Sequence, residues 1–250
     1  MTAAVILIAV AAVFVGSTLQ RLSGTGVGLV VAPTLALAMG PHVGVFVANS
    51  TTVISGFLIM LAVIREVDWK RFWILAVCAA LGAFPAALLV RDLSSAWLNI
   101  VVGAVVLFAL ALTFGMPRLP RLTSSALTAA AGIVGGFLNT SAGVAAPAMV
   151  IYARFARWEQ RSFAATLQPT FMTMGILSVA AKLSVGATTI DQLPPWWLLP
   201  IIVITVLLGI WLGGRLARRV PAPQARRLAI ALAGLGGAVA IVRGALMLVA

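Results

Sequence analysis

Acidic side chains are scarce in this chain. Glu66, Asp68, Asp92, Glu159 and Asp191 are the only five in 250 residues, and all fall in polar connections or at the ends of apolar runs. No apolar segment therefore carries an interior carboxylate of the kind used in proton relays. Cys78 is the only cysteine and sits inside an apolar run, which excludes an internal disulfide and a cysteine-rich metal site. His42 and Tyr152 are also each the only residue of their type. From this set no metal-ligand cluster, no nucleophile with its base and no phosphate loop can be assembled. No cofactor is expected, and an enzyme is not expected.

Charge of either sign is low, at 9% of residues against 62% hydrophobic. Soluble domains carry about 25% charged residues, so this set cannot build a surface that faces water all round. Its apolar runs approach or exceed the roughly 20 residues that a bilayer-crossing helix needs. The fold class is an all-α polytopic membrane protein, with the lipid bilayer as its first partner. Residues 1–16 lack the basic leader of a signal peptide, so the first segment is expected to be retained. The net charge of +12 would suggest nucleic acid for a soluble chain. Here it reports topology, and no nucleic-acid partner is expected.

Hydropathy and helix breakers give ten apolar segments, at about 3–20, 27–39, 42–64, 70–90, 95–114, 122–138, 143–155, 162–183, 195–214 and 228–249. Basic residues gather on alternate connections: Arg65, Lys70 and Arg71; Arg118 and Arg121; Arg154, Arg157 and Arg161; Arg215, Arg218, Arg219, Arg226 and Arg227. The other set holds only Arg91, Lys182 and Arg243. The positive-inside rule makes the rich side cytoplasmic and puts both termini outside, at the cell inner (plasma) membrane. Ten full crossings satisfy this pattern. So do two hairpins, of segments 1–2 and 6–7, that enter and return on one side. The hairpins are preferred because segments 2 and 7, at about 13 residues, are short for a crossing.

Each short segment follows a polar, small-residue tract, 22-LSGTGVGLVVAP-33 and 138-LNTSAGVAAP-147. Both halves follow one plan, so residues 1–117 and 118–250 read as two repeats. An odd number of segments makes the second inverted relative to the first. Inverted repeats with discontinuous helices are common in secondary transporters, whose sites lie near the midplane where the repeats meet. Short helices pointing their N-termini at the tracts would suit an oxyanion. Ser23, Thr25, Asn139, Thr140 and Ser141 add donors, and Gly24, Gly26 and Gly143 allow close backbone approach. Asn49 and Gln168 lie about two turns into their helices, where an amide should face a cavity or a partner helix. Arg21 either snorkels from the end of a full span or, at a hairpin tip, grips two oxygens of the anion as a fork. Pro33 and Pro147 suit a helix start, and deeper in would be kinks. The Gly209–Gly213 spacing reads as close helix packing.

The first tract, 132-GIVGGFLNTSAGVAAPAMVIY-152, and 45-VFVANSTTVISG-56 followed by 65-REVDWKRF-72 together resemble the TauE/SafE sulfite exporter family over nearly the whole chain. The second tract departs from that pattern, with Ala145-Ala146-Pro147 where Gly-Gly-Pro or Gly-Pro-Pro is typical. The resemblance implies a permease for a small anionic substrate, either sulfite or an organosulfonate such as sulfoacetate or sulfolactate. Uptake of a related anion or of another small solute, a membrane enzyme and an assembly subunit are the rival readings. A homo-oligomer is compatible with all of them. The charge pattern makes one topological prediction. Cysteines at Gly115 and Ala222 should react with an impermeant thiol reagent from the cytoplasm, and one at Ala187 from outside.

Overall fold

The computed structural model describes residues 2–23, 27–115, 121–122, 124–217 and 219–249. Among these the chain forms ten α-helices and two 3-10 turns, and no strand. The first half contributes α1 (Ala3–Ser23), α2 (Val27–Met39), α3 (Pro41–Val63), α4 (Trp69–Asp92) and α5 (Ser95–Gly115). The second contributes α6 (Ser125–Ala142), α7 (Ala146–Ala156), α8 (Gln160–Ser184), α9 (Leu198–Leu216) and α10 (Ala222–Val249). Six of them, α1, α3, α4, α8, α9 and α10, are long and apolar enough to cross a membrane.

The distribution of polarity is that of a protein solvated by lipid. On α4, Trp73, Val77, Leu81 and Phe84 form an exposed stripe at helical spacing, while the opposite face buries Leu75, Ala79 and Ala83. Gln20, Asn49, Asn139, Gln168 and Lys182 are buried instead. Apolar side chains face out and amides face in. A chain in water would reverse this.

Helix ends are set by local chemistry. Asp68, Ser124 and Glu159 cap α4, α6 and α8 by accepting first-turn N–H groups. Gly40, at φ 85, turns the chain in one residue, and Pro41 opens α3 where a missing N–H costs little. Pro147 likewise sits in the first turn of α7. Pro33 does not sit at a helix start. It is inside α2 and removes one backbone bond there.

Two pairs of helices fold back on themselves. In the first, Gly16 of α1 lies against Val27 and Val31 of α2, so the contact persists on both sides of the connection. In the second, the Leu122 N–H donates to the Phe155 carbonyl at 3.0 Å and the Thr128 and Tyr152 hydroxyls bond at 2.8 Å. The chain thus leaves α7 at the end where it entered α6. Arg161 pairs with Glu66, and Arg71 stacks over Trp158, so the arginine-rich connections also meet at that end.

The glycine contacts occur twice. Gly82 of α4 packs on Ile133 and Phe137 of α6, and Gly209 of α9 packs on Phe14 and Thr18 of α1. Gly56 of α3 packs on Gln168 and Met172 of α8, and Gly175 of α8 packs on Asn49 and Val53 of α3. A shift of 119 positions carries 14 to 133, 18 to 137, 49 to 168, 53 to 172 and 56 to 175. A Cβ on Gly82 would overlap the Ile133 carbonyl, whereas nothing lies near Gly214. Gly82→Val should therefore destabilise by about 1–3 kcal/mol or more through overpacking. Gly214→Ala should be neutral or slightly stabilising. Thermal unfolding of the purified protein checks both.

Candidate functional site

The polar residues of the interior gather where the two hairpins meet α3 and α8. α6 does not stop at residue 138 as the tract suggested. It continues through Asn139, Thr140 and Ser141 to Ala142, because Gly143, at φ 74, closes the helix by donating its N–H to the Asn139 carbonyl. Only residues 143–145 interrupt the chain before α7. Gly28, in the first turn of α2, sits directly on the Gly143 carbonyl, with no room for a Cβ. The first turn of α2 is thus in backbone contact with the connection between α6 and α7.

A small cavity lies at this junction. Val27, Gly28 and Leu29 of α2 and Ala145 and Ala146 at the start of α7 line it, with Gln20, Thr52, Asn139, Gly143 and Phe171. Two helix N-termini therefore open onto one space, each bringing first-turn N–H groups that have no acceptor within their helix, together with a positive dipole end. The free volume is about 20 Å³. That holds roughly one water molecule, so an oxyanion enters only if the tips part or Phe171 swings aside.

Around the cavity the amides are held in two layers. The Gln20 side-chain N–H donates to Gln168 Oε1 at 2.9 Å, Ser55 donates to Gln20 Oε1 at 3.0 Å, and Gln168 donates to the Ala164 carbonyl at 3.0 Å. In the second layer Asn49 Nδ2 donates to the Asn139 carbonyl at 3.2 Å and to Ser178 Oγ at 2.6 Å. Asn139 is 2% exposed, yet its Nδ2 has no partner, and Asn49 Oδ1 and Thr140 Oγ1 are also buried without one. A dry, unpaired buried polar atom costs about 1–3 kcal/mol. Asn139 thus lines the cavity with an amide nitrogen that has no partner among the described residues.

The structure brings Asn49, Asn139, Gly143 and Gln168 together and leaves other sequence candidates aside. Ser141 bonds the Phe137 carbonyl of its own helix. Arg21 does not line the cavity; its stem lies against Gly213 of α9. The reason is helical pitch. Gln20 takes the face toward α8, and the next residue turns about 100° away. The side chain of Ser23, and Gly24, Thr25 and Gly26, lie outside the described residues. Sequence reasoning passed over Gln20, Ser55 and Ser178. For Gln20 the signal was present, as an amide alone on an otherwise apolar face. Ser50, Thr51, Thr52 and Thr170 all bond carbonyls one turn back, which is why hydroxyls were the weaker guide.

The model of the family described as sulfite exporter TauE/SafE matches residues 8–241. The chain belongs to the TauE/SafE family. Searches of curated proteins and of solved structures found no match. This is a family of membrane transporters for sulfur-containing anions and not of enzymes, which agrees with a cavity that offers hydrogen-bond donors and no acid–base pair. Two substitutions test the cavity. Asn139→Leu should weaken sulfite binding by about 1–3 kcal/mol, or some 5- to 150-fold, read as lost thermal stabilisation by sulfite. Arg21→Ala, whose stem faces α9, should change it less than twofold.

Proposed function

We propose that this protein exports a small sulfur oxyanion, sulfite or an organosulfonate such as sulfoacetate, across the cell inner membrane. The observation that carries this reading is the cavity onto which the N-termini of α2 and α7 open, with Asn139 in its lining. Such a donor set fits a compact anion with several oxygens. Every contributor is neutral, so the anion is held without an ion pair and can leave.

Residues 1–117 and 118–250 act as two inverted repeats, with α1–α2 and α6–α7 as re-entrant hairpins entering from opposite faces. The twofold recurrence of the glycine contacts supports this. The arginine-rich end is cytoplasmic and both termini lie outside. Parting of the hairpin tips from α8 on one side, or from α3 on the other, opens the cavity to each face in turn.

Energy for export comes from the membrane potential. All five carboxylates lie at helix ends or in connections, so no helix interior offers one as a proton carrier. Each net negative charge leaving a cell that is negative inside gains roughly 2.3 kcal/mol per 100 mV, enough for about a 50-fold gradient. In proteoliposomes, sulfite flux should follow an imposed potential and persist without a pH or sodium gradient. Flux indifferent to voltage but abolished by collapsing a proton gradient would overturn the electrogenic mechanism.

A further inference from the structure

One buried charge is left over when the central cavity has been described. Lys182 lies in the last turn of α8 and is 1% exposed. A lysine at a helix end ordinarily snorkels its ammonium into water, and this one does not. Its Nζ has no hydrogen-bond partner and no carboxylate within ion-pair distance among the described residues. The chain has little to offer it. Glu66, Asp68 and Asp92 pair with arginines, Glu159 caps α8 at the far end of the helix, and Asp191 is exposed. An amine removed from water holds its charge only beside a counter-charge, and here the fold does not supply one.

The surroundings of Lys182 connect two spaces. On the inner side, the antiparallel register of α3 and α8 sets Asn49 against Ser178, and Lys182 is one turn further along the same face of α8. That turn brings it within electrostatic reach of His42 in the first turn of α3. On the outer side, Ala187 and Thr188 donate their N–H groups to the Lys182 carbonyl at 2.9 and 3.4 Å, and His42 and Ala187 line the same space. His42 and Ala187 line an open cavity of about 510 Å³ at the arginine-poor end, with Arg91 and Gln192 on its rim. Asn139, Asn49, Ser178, Lys182 and His42 thus follow one another between the junction cavity and this vestibule, with Lys182 lining neither space.

We propose that Lys182, with His42 on its outer side, forms a second anion site, where a sulfur oxyanion pauses between the central cavity and the vestibule. The inference rests on the anion-transport reading and adds to it a cationic station on one face only. The shift of 119 positions that relates the halves carries Val63 to Lys182, so the other face has no equivalent.

The test uses full-length protein in proteoliposomes of one orientation, with sulfite varied on each face in turn. Lys182→Met should raise the half-saturating sulfite concentration about tenfold on the arginine-poor face and leave the other face unchanged. Lys182→Arg should keep the wild-type value, and His42→Gln should give a smaller one-face increase. Because the ammonium is unpaired in the fold, Lys182→Met should also unfold at a higher temperature than wild type without sulfite. Unchanged half-saturation on both faces overturns the proposal. So does equal weakening on both, which would assign Lys182 to the central site. A Lys182→Met protein that fails to fold, while Lys182→Arg folds, overturns it too, since the ammonium would then have a structural partner. If the wild type moves no sulfur anion, the transport reading falls alone, and thermal titration with sulfite decides the rest. Stabilisation that survives Asn139→Leu and is lost in Lys182→Met supports the second site, and its absence in both removes it.

Discussion

In a bilayer interior no water is on hand to satisfy a broken helix, so every interrupted backbone has to end against protein or a polar cavity. Here the two interruptions end against each other. The first turn of α2 rests on the Gly143 carbonyl, and both N-termini share one small space. Much else follows from that junction. Gly28 must lack a side chain, Gly143 must take a left-handed turn, and α3 and α8 must come close enough to wall the space. Close glycine packing also holds α4 on α6 and α9 on α1.

The chemistry at that junction is built from dipoles and amides. A fixed cation beside the cavity would hold a divalent anion strongly and release it slowly. Partial charges from two helix ends, with the Asn139 amide, bind more gently and need no counter-ion when the cavity is empty. The amide layers on either side have different strengths. Gln20 and Gln168 meet side chain to side chain, while Asn49 reaches the Asn139 backbone and Ser178. The related positions are the same, yet the bonds are not.

Much of the fold was legible in the sequence because lipid imposes a strong signal. Helices must be long, continuous and apolar, and the breaks between them are marked by Gly, Pro and charge. The expected segments and the observed helices accordingly agree to within a few residues at most ends. The exceptions are informative. α6 runs past 138 because helix propagation costs little until Gly143 stops it, and a polar tract is not in itself a break. Pro33 sits inside α2, where sequence favoured a helix start. Of the candidate residues, Asn49, Asn139, Gly143 and Gln168 gather in or beside the cavity wall, and the three amides stood out in the sequence because they are costly in an apolar helix. Arg21 drew attention by its charge, but orientation around a helix decides what a residue touches, and one position of difference gave the cavity to Gln20.

Lys182 shows a second limit of reading charge along a chain. As one of three basic residues on the sparse side it counted toward topology, where a snorkelling lysine would be unremarked. Its burial is a property of tertiary structure, set by α3 packing across the last turn of α8 and by residues 187–188 folding back onto its carbonyl. The two ends of the molecule then favour anions by different means. At the arginine-rich end many exposed cations raise the local anion concentration, and salt screens them readily. At the other end the proposed second site relies on the one desolvated Lys182 side chain, which salt screens much less. The membrane potential sets the direction of net flux, and differences such as Lys182 against Val63 make the two faces of a carrier of similar halves unequal in affinity.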